Sequence, residues 1–426
     1  MEPFPPPQYV QIESGLDGFE VYKPMPEEKE KQQAVVDFPC PQCGATMAFD
    51  VSTGRLRCAH CGYEEQPEVD LAGKSAEQFE FTVETMQQAT HGWGIDRLDL
   101  ECQNCGARIS IPAEKLTYSC TFCGSNKVVQ NQANQDHLRP RFLIPFQVND
   151  TACEKIVQRW LGSHWMTPAA LKNLVSLQAF SEIYLPYWTF DSITSAEWKA
   201  EVGHTHTEQY YDPSDKTWKT RTRIEWRWES GSTQLKIDDL LESGTARVSQ
   251  KHLSAVQNYD LSGMVAYDPS FLAGMQAQTY DVPLEAAWET ARQEMREKTR
   301  LECRKQASTS MIRNFRMDLD FSDENWRLIL LPFFVASYIY NGKSYQVLVN
   351  GQTGAISGQR PVDWTKVWLV IAALFAPGIL LGILGLLTLP LAGVGVPVGG
   401  IGLILLAISL IAGIIILVKA NQLDDA

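Results

Sequence analysis

A chain of 426 residues, 45% of them hydrophobic, has room for two or three domains and enough apolar side chains to fill a core, which excludes global disorder. Its formal net charge of -13 repels phosphate backbones on average, so the totals carry no electrostatic signature of nucleic-acid binding and favour protein partners. Eight of the ten cysteines fall into four C-x-x-C pairs, which in a reducing compartment points to metal binding rather than disulfides.

Residues 1–33 combine Pro5, Pro6, Pro7, Pro24 and Pro26 with the charge run 27-EEKEK-31, and they lack the apolar stretch and basic flank of a secretory signal. They read as a disordered, mobile tail, either an inert solvated leader or a short segment that orders on a partner. Residues 34–66 carry Cys40, Cys43, Cys58 and Cys61; after a linker at 67–98, residues 99–130 carry Cys102, Cys105, Cys120 and Cys123, each offset by the same 62 positions. This is an internal repeat. In each module the residues between the two knuckles alternate like a β-hairpin: Thr46, Ala48 and Asp50 before a turn at Ser52-Thr53-Gly54, and Ile109 and Ile111 before a turn near Pro112.

Zinc accepts four thiolates tetrahedrally, and two C-x-x-C turns supply them without strain. Glycine follows the second cysteine of every knuckle, at Gly44, Gly62, Gly106 and Gly124, where a residue free to adopt positive φ can close the turn around the metal. The competing reading, redox C-x-x-C pairs, needs no second pair at a fixed distance. Four thiolates leave no open coordination position, so two structural Zn2+ ions are expected, with no catalysis at the metal. Residues 33–130 hold 13 Asp and Glu against 7 Lys and Arg, and each tetrathiolate adds a further -2 on loading, which opposes phosphate binding. Arg55, Arg57 and Arg108 are the residues to test for it.

Residues 131–365 read as an α+β domain with helical patterns at Cys153–Leu161, Pro168–Leu177 and Leu284–Ala307 and aromatic strands at 183–191 and 345–351. A weak echo links 185-LPYW-188 to 331-LPFF-334. His204 and His206 share one face of a strand and read as solvated, while Cys153 and Cys303 read as small buried residues. No G-x-x-x-x-G-K-[ST], H-E-x-x-H or G-x-S-x-G motif is present, so the sequence supports no enzyme and no catalytic residue.

Residues 367–418 contain no charged side chain, and one helix of that length would reach about 78 Å, far beyond a hydrocarbon core of ~30 Å. The segment must double back. Within the span 366–420 the expectation is a transmembrane hairpin of helices at about 367–389 and 401–418, broken by Pro390, Gly393, Gly395, Pro397, Gly399 and Gly400, with a short tail at 421–426. Gly378 and Gly382 make either a helix-packing face or a flexible point beside Pro377. Arg360, Lys366 and Lys419 flank the outer ends, which places both termini in the cytoplasm.

With its paired knuckles, 183-IYLPYWTFD-191 and 330-LLPFFVASYIYNGKSYQVLVNGQTGAISGQRP-361, the chain resembles a bacterial family of double zinc-ribbon membrane proteins, often labelled as similar to primosomal protein N', or replication factor Y. The likeness covers roughly residues 35–366. The helicase activity in that label does not carry over, because the phosphate-cradling loop is missing. The resemblance implies a membrane-anchored adaptor in the bacterial inner membrane, similar to proteins encoded beside phage-shock-protein A or stomatin/prohibitin/flotillin-type scaffolds in envelope-stress systems; the eight knuckle cysteines match the family's zinc ligands, and no catalytic residue carries over. The fold expected is multidomain: two small β zinc ribbons with rubredoxin-type knuckles, an α+β domain and a C-terminal transmembrane helical hairpin. The alternative function is a membrane-tethered nucleic-acid binder.

Overall fold

A computed structural model of the chain describes residues 9–12, 21–24, 38–67, 72, 79–80, 91, 93, 97–112, 120–123, 125–132, 137–168, 180–340, 343–388 and 395–424. Within the segment read as a tail, β1 (Tyr9–Ile12) and β2 (Val21–Pro24) pair antiparallel. The first ribbon has its own sheet of β3 (Met47–Asp50), β4 (Arg55–Cys58) and β5 (Glu64–Glu65). Its hairpin turns at the expected place, where Gly54 takes φ +67 and its N–H donates to Asp50 O. In the segment read as a linker, β6 (Phe79–Glu80) pairs with a body strand and Trp93 is buried.

The second ribbon is β7 (Arg97–Cys102), β8 (Arg108–Pro112) and β9 (Val128–Gln132), with β7 paired to both neighbours. Here β7 and β8 close around the first knuckle; residues 113–119, which would complete the hairpin expected between the knuckles, lie outside the described residues.

Next along the chain come β10 (Phe142–Leu143), α1 (Asp150–Gly162), β11 (Phe180–Asp212), β12 (Thr217–Ser243), α2 (Gln250–Val256), β13 (Val265–Ala266), β14 (Gln276–Gln278), α3 (Leu284–Gln306), β15 (Ile312–Tyr340), β16 (Lys343–Asn350) and β17 (Ile356–Gly358). The helix expected at Pro168–Leu177 lies, beyond Pro168, outside the described residues. The body is β-rich, and β11 and β15 pair antiparallel along its centre. Their length exceeds what the sequence suggested: the strand read at 183–191 belongs to one of 33 residues. An amphipathic α3 explains part of this, because it lays Trp288, Ala291 and Met295 on Phe190 and Ile237, so the sheet stays covered well beyond residue 191.

The LPYW and LPFF echo is a structural repeat. Leu185 lies opposite Leu331 across the β11–β15 pair. Pro186 O accepts from Gly244 N at 2.9 Å, and Pro332 O accepts from Gly351 N at 2.8 Å. Each of those glycines then accepts two consecutive backbone N–H groups: Gly244 O takes Asp281 and Val282 just before α3, and Gly351 O takes Gln147 and Val148 just before α1. Two helix–strand–strand units therefore face each other about a pseudo-twofold, and side chains are excluded at both glycines, where an added Cβ would lie 2.9 Å from Pro186 O or 2.6 Å from a Phe146 ring carbon.

Two buried polar sites lie in this core, with opposite effects. Arg327, 1% exposed, donates to Thr189 Oγ1 at 3.1 Å and to Asp239, whose own N–H donates to Asp191 Oδ1 at 2.5 Å. Asp239 has φ +55 beside the bulge at Phe190/Ser192, so this network holds a strained turn of the strand. Glu242 is different: its Oε1 is buried without a hydrogen-bond partner among the described residues, and burial with Glu294 nearby raises its carboxyl from 4.5 to about 7. A raised carboxyl in the folded state takes up a proton that the unfolded chain releases, so this position opposes folding increasingly from pH 4.5 to 7 and fully above it. Glu242→Gln is expected to raise the melting temperature at pH 8 and leave it unchanged at pH 4, read by thermal circular dichroism.

The C-terminal helices α4 (Trp364–Leu387) and α5 (Gly395–Asp424) are long and apolar enough to cross a membrane. The break is shorter than expected. Gly395, Pro397, Gly399 and Gly400 belong to the first turns of α5, where proline costs no intrahelical hydrogen bond, while Pro390 and Gly393 lie outside the described residues. The helices pack antiparallel through small residues: a Cβ on Gly385 would meet Gly399 N at 2.5 Å, one on Gly402 would meet Gly382 N at 2.7 Å, and Ser409 Oγ donates to Leu374 O at 2.7 Å. Gly378 lies on this packing face, where an added Cβ would meet Leu406 at 2.8 Å, whereas a Cβ on Gly382 would meet nothing within 4 Å. Gly402→Leu is expected to cost about 1–3 kcal/mol of packing and to break the Ser409–Leu374 contact, read as a lower midpoint in thermal unfolding followed by circular dichroism. Both outer ends are tied to the body: Asp363 N donates to Met166 O at 2.8 Å, the Arg360 guanidinium lies 3.7 Å from the Trp160 ring centroid, and Val367 and Ala420 are buried with Met166.

Candidate metal centres

The backbone shapes each knuckle before any metal is considered. The first cysteine donates its N–H five residues ahead, as in Cys40 to Ala45 O at 2.7 Å, Cys58 to Tyr63 O at 2.9 Å, Cys102 to Ala107 O at 3.0 Å and Cys120 to Ser125 O at 2.8 Å. Its carbonyl accepts from the glycine four residues on, at Gly44, Gly62 and Gly106, which have φ of +75, +77 and +69. Gly124 lies outside the described residues. The same turns aim backbone N–H groups at sulfur: those of Cys61 and His60 at the Cys58 thiol, and those of Cys105 and Asn104 at the Cys102 thiol.

These turns gather all eight cysteines into two groups of four, Cys40, Cys43, Cys58 and Cys61, and Cys102, Cys105, Cys120 and Cys123, with the Sγ atoms of each group within 4.8 Å of one another. None is in a disulfide. Across the knuckles Cys40 and Cys61 stand 3.4 Å apart and Cys43 and Cys58 3.5 Å, while Cys102 and Cys123, and Cys105 and Cys120, stand 3.6 Å apart. A zinc tetrahedron with bonds of about 2.3 Å has edges of about 3.8 Å, so the groups fit a metal of that size after a small expansion. The electrostatics ask for a cation as well. Backbone N–H donors, that of Cys61 first, lower the Cys58 thiol to about 6; at Cys61 the Tyr63 N–H also lowers it, but burial and the other three sulfurs push it up to about 12. Four thiolates cannot share so small a volume unless a dication compensates them.

The two centres sit differently in the body. In ribbon one, Phe49 N donates to Ala273 O at 3.1 Å and the Phe49 ring lies 5.2 Å from Phe271, while Cys43 and Cys61 stay exposed. In ribbon two, β8 joins β14 through the Ser110↔Ala277 pairing, making the ribbon part of the central sheet. The buried Arg97 guanidinium donates to Ser110 O and Met275 O, both at 2.8 Å, and Thr121 Oγ1 donates to Gln276 Oε1 at 2.8 Å. Arg247 Nη1 donates to Cys105 O at 2.8 Å, beside the metal group itself. Nothing in the sequence around Arg97, Thr121 or Arg247 signals these roles, because Met275, Gln276 and Cys105, the partners that tie them across the fold, lie over 100 residues away.

The other residues singled out from sequence fall elsewhere. Arg55 and Arg57 pair with Glu64, and Arg57 also with Asp50, so they are not unpaired cations waiting for phosphate; Arg108 is exposed opposite Glu101. His204 hydrogen-bonds Glu229 at 3.1 Å and His206 meets Glu225 at 3.0 Å; among the described residues, the only metal-capable groups are the two cysteine sets. Cys153 and Cys303 are buried, and burial pushes both thiols up, Cys153 to about 12, which makes them poor nucleophiles.

Comparison with known proteins finds no matching family model and no matching solved structure. The chain is 24% identical over 338 residues to an uncharacterized protein, YdjG, of Bacillus subtilis (strain 168), a match covering 78% of this chain and 92% of that protein.

Proposed function

We propose that this chain is a membrane-anchored adaptor whose two zinc ribbons are structural staples of a cytoplasmic interaction domain. The observation that carries this reading is the closure of both metal groups: each gathers four thiols around one point, which leaves no position for water or substrate. Two membrane-length helices tied to the body at both outer ends supply the anchor. Arg360, Lys366 and Lys419 at those ends favour an orientation with both termini in the cytoplasm of a bacterial cell. The protein partners fitting this reading are phage-shock-protein A-like or stomatin/prohibitin/flotillin-like scaffolds.

Proximity labelling from a tagged chain in its native membrane tests the reading: scaffold or envelope-stress proteins should be enriched, and a labelled set made up of nucleic-acid enzymes would reverse it. Orientation is tested separately, since an N-terminal tag should be cut by protease in inverted vesicles and spared in right-side-out ones.

A further inference from the structure

Beyond Val202 and Ile312 the pairing of β11 with β15 ends, and β11 and β12 continue as a two-stranded arm from Gly203↔Trp226 to Asp212↔Thr217, about 30 Å long. One face of the arm holds ion pairs between His206 and Glu225, Glu208 and Arg221, and Lys219 and Asp212. The other holds Tyr211, Trp218, Ile224, Trp226 and Trp228, with Trp218 70% and Trp228 60% exposed. Among the described residues β12 pairs with β11 alone, so its outer edge from Trp218 to Ser230 has no neighbouring strand. A long open edge flanked by exposed tryptophans is a template for strand addition, and a two-stranded ribbon is only marginally stable by itself in water.

We propose that this edge pairs antiparallel with the same edge of a second copy of the chain, about a twofold axis at Trp226. The charges of β12 select that partner and that register. With Trp226 on the axis, Glu225 stands opposite Arg227 of the second copy and Arg223 opposite Glu229, and symmetry repeats both pairs. On the aromatic face Trp226 meets its own copy, Ile224 meets Trp228 and Thr222 meets Ser230. Moving the axis to Glu225 or Arg227 sets like charges against each other, moving it to Ile224 keeps two reciprocal ion pairs, Arg223 with Glu225 and Lys219 with Glu229, but opposes Arg221 to Arg227, and moving it to Trp228 leaves one reciprocal ion pair instead of two. Isologous pairing of this kind closes as a dimer and removes the open edge.

The test uses the full-length chain in lipid nanodiscs with cysteines at Thr222 and Ser230, both exposed. Within one chain these positions are eight residues apart along a strand, about 26 Å, too far to join. Across the proposed interface they are directly opposite, at about 4.5–5.5 Å between Cα atoms, within disulfide range. Under diamide oxidation T222C/S230C should run as a covalent dimer on a non-reducing gel, while T222C, S230C and the wild-type chain remain monomers. Arg223→Glu, read by mass photometry, should weaken the dimer roughly tenfold or more, because it places like charges at two symmetric positions. The proposal is overturned if the double variant stays monomeric, if either single variant links as well as the double, if T222C/S230C links to a different protein and not to itself, or if R223E leaves the dissociation constant unchanged.

Discussion

Replacing Cys102 by serine in the full-length chain is expected to reduce its metal content from two ions to one and to unfold the β-rich body together with the second ribbon. Cys58→Ser should also remove one ion, yet leave the body folded. A structural tetrathiolate zinc site is worth about 10–16 kcal/mol at pH 7, against a typical domain stability of about 5–15 kcal/mol, so losing a site melts whatever depends on it. What depends on the second site is the central sheet. Its Cys102, Ala107, Ile109, Ile111, Cys120 and Phe122 share one core with Ile183, Leu185 and Ile329, and β8 hydrogen-bonds to β14. The first ribbon also packs side chains into the body, where Cys40, Phe49 and Cys58 share a core with Phe271, Tyr184 and Leu330, but it keeps a sheet of its own and no strand of it pairs with the central sheet among the described residues. Metal analysis paired with thermal unfolding followed by near-ultraviolet circular dichroism separates the two variants; equal loss of the body's transition in both would refute the asymmetry.

Arg327→Met is expected to destabilise the body by about 3–5 kcal/mol, among the largest effects of any single substitution outside the cysteines. The guanidinium is buried between Thr189, Asp191 and Asp239, and removing it leaves two carboxylates facing a space with little water. A triple variant, Arg327→Met with Asp191→Asn and Asp239→Asn, should recover a large part of the loss, because removing charges of both signs avoids an uncompensated buried charge. Urea unfolding of the detergent-solubilised chain measures both midpoints; a triple variant no more stable than R327M would show that the ion pairs are not the cause.

The metal groups were legible because their determinants are local. Two cysteines three residues apart, with glycine following, encode a turn that points both sulfurs one way, and the structure assembles the four such turns in pairs into two groups of four cysteines. The apolar hairpin was legible for a related reason, since the composition of a helix long and apolar enough to cross a membrane shows at every residue of the segment. Its boundary residues were less so: Gly395 to Gly400 look like a loop by propensity, yet small residues are what lets α5 approach α4, and packing outweighs the conformational cost of glycine in a helix. The strand read at 183–191 and the one carrying His204 and His206 were not legible as a single continuous β11, because beyond Gly203 the β11–β12 pair is a solvent-facing ribbon. Its alternation runs between ion pairs and aromatics, without the apolar-polar rhythm that marks a half-buried strand.

The sequence by itself determined where eight thiols must converge and which segment is apolar along its whole length, because both follow from spacing and composition over a few dozen residues. Only the tertiary structure decided that one ribbon is built into the central sheet while the other stands beside it, that Arg97, Arg247 and Arg327 are structural cations, and that the LPYW and LPFF motifs face each other across a pseudo-twofold. Those facts depend on hydrogen bonds between residues more than 80 positions apart, whose partners are chosen by the packing of the whole chain and leave no local mark.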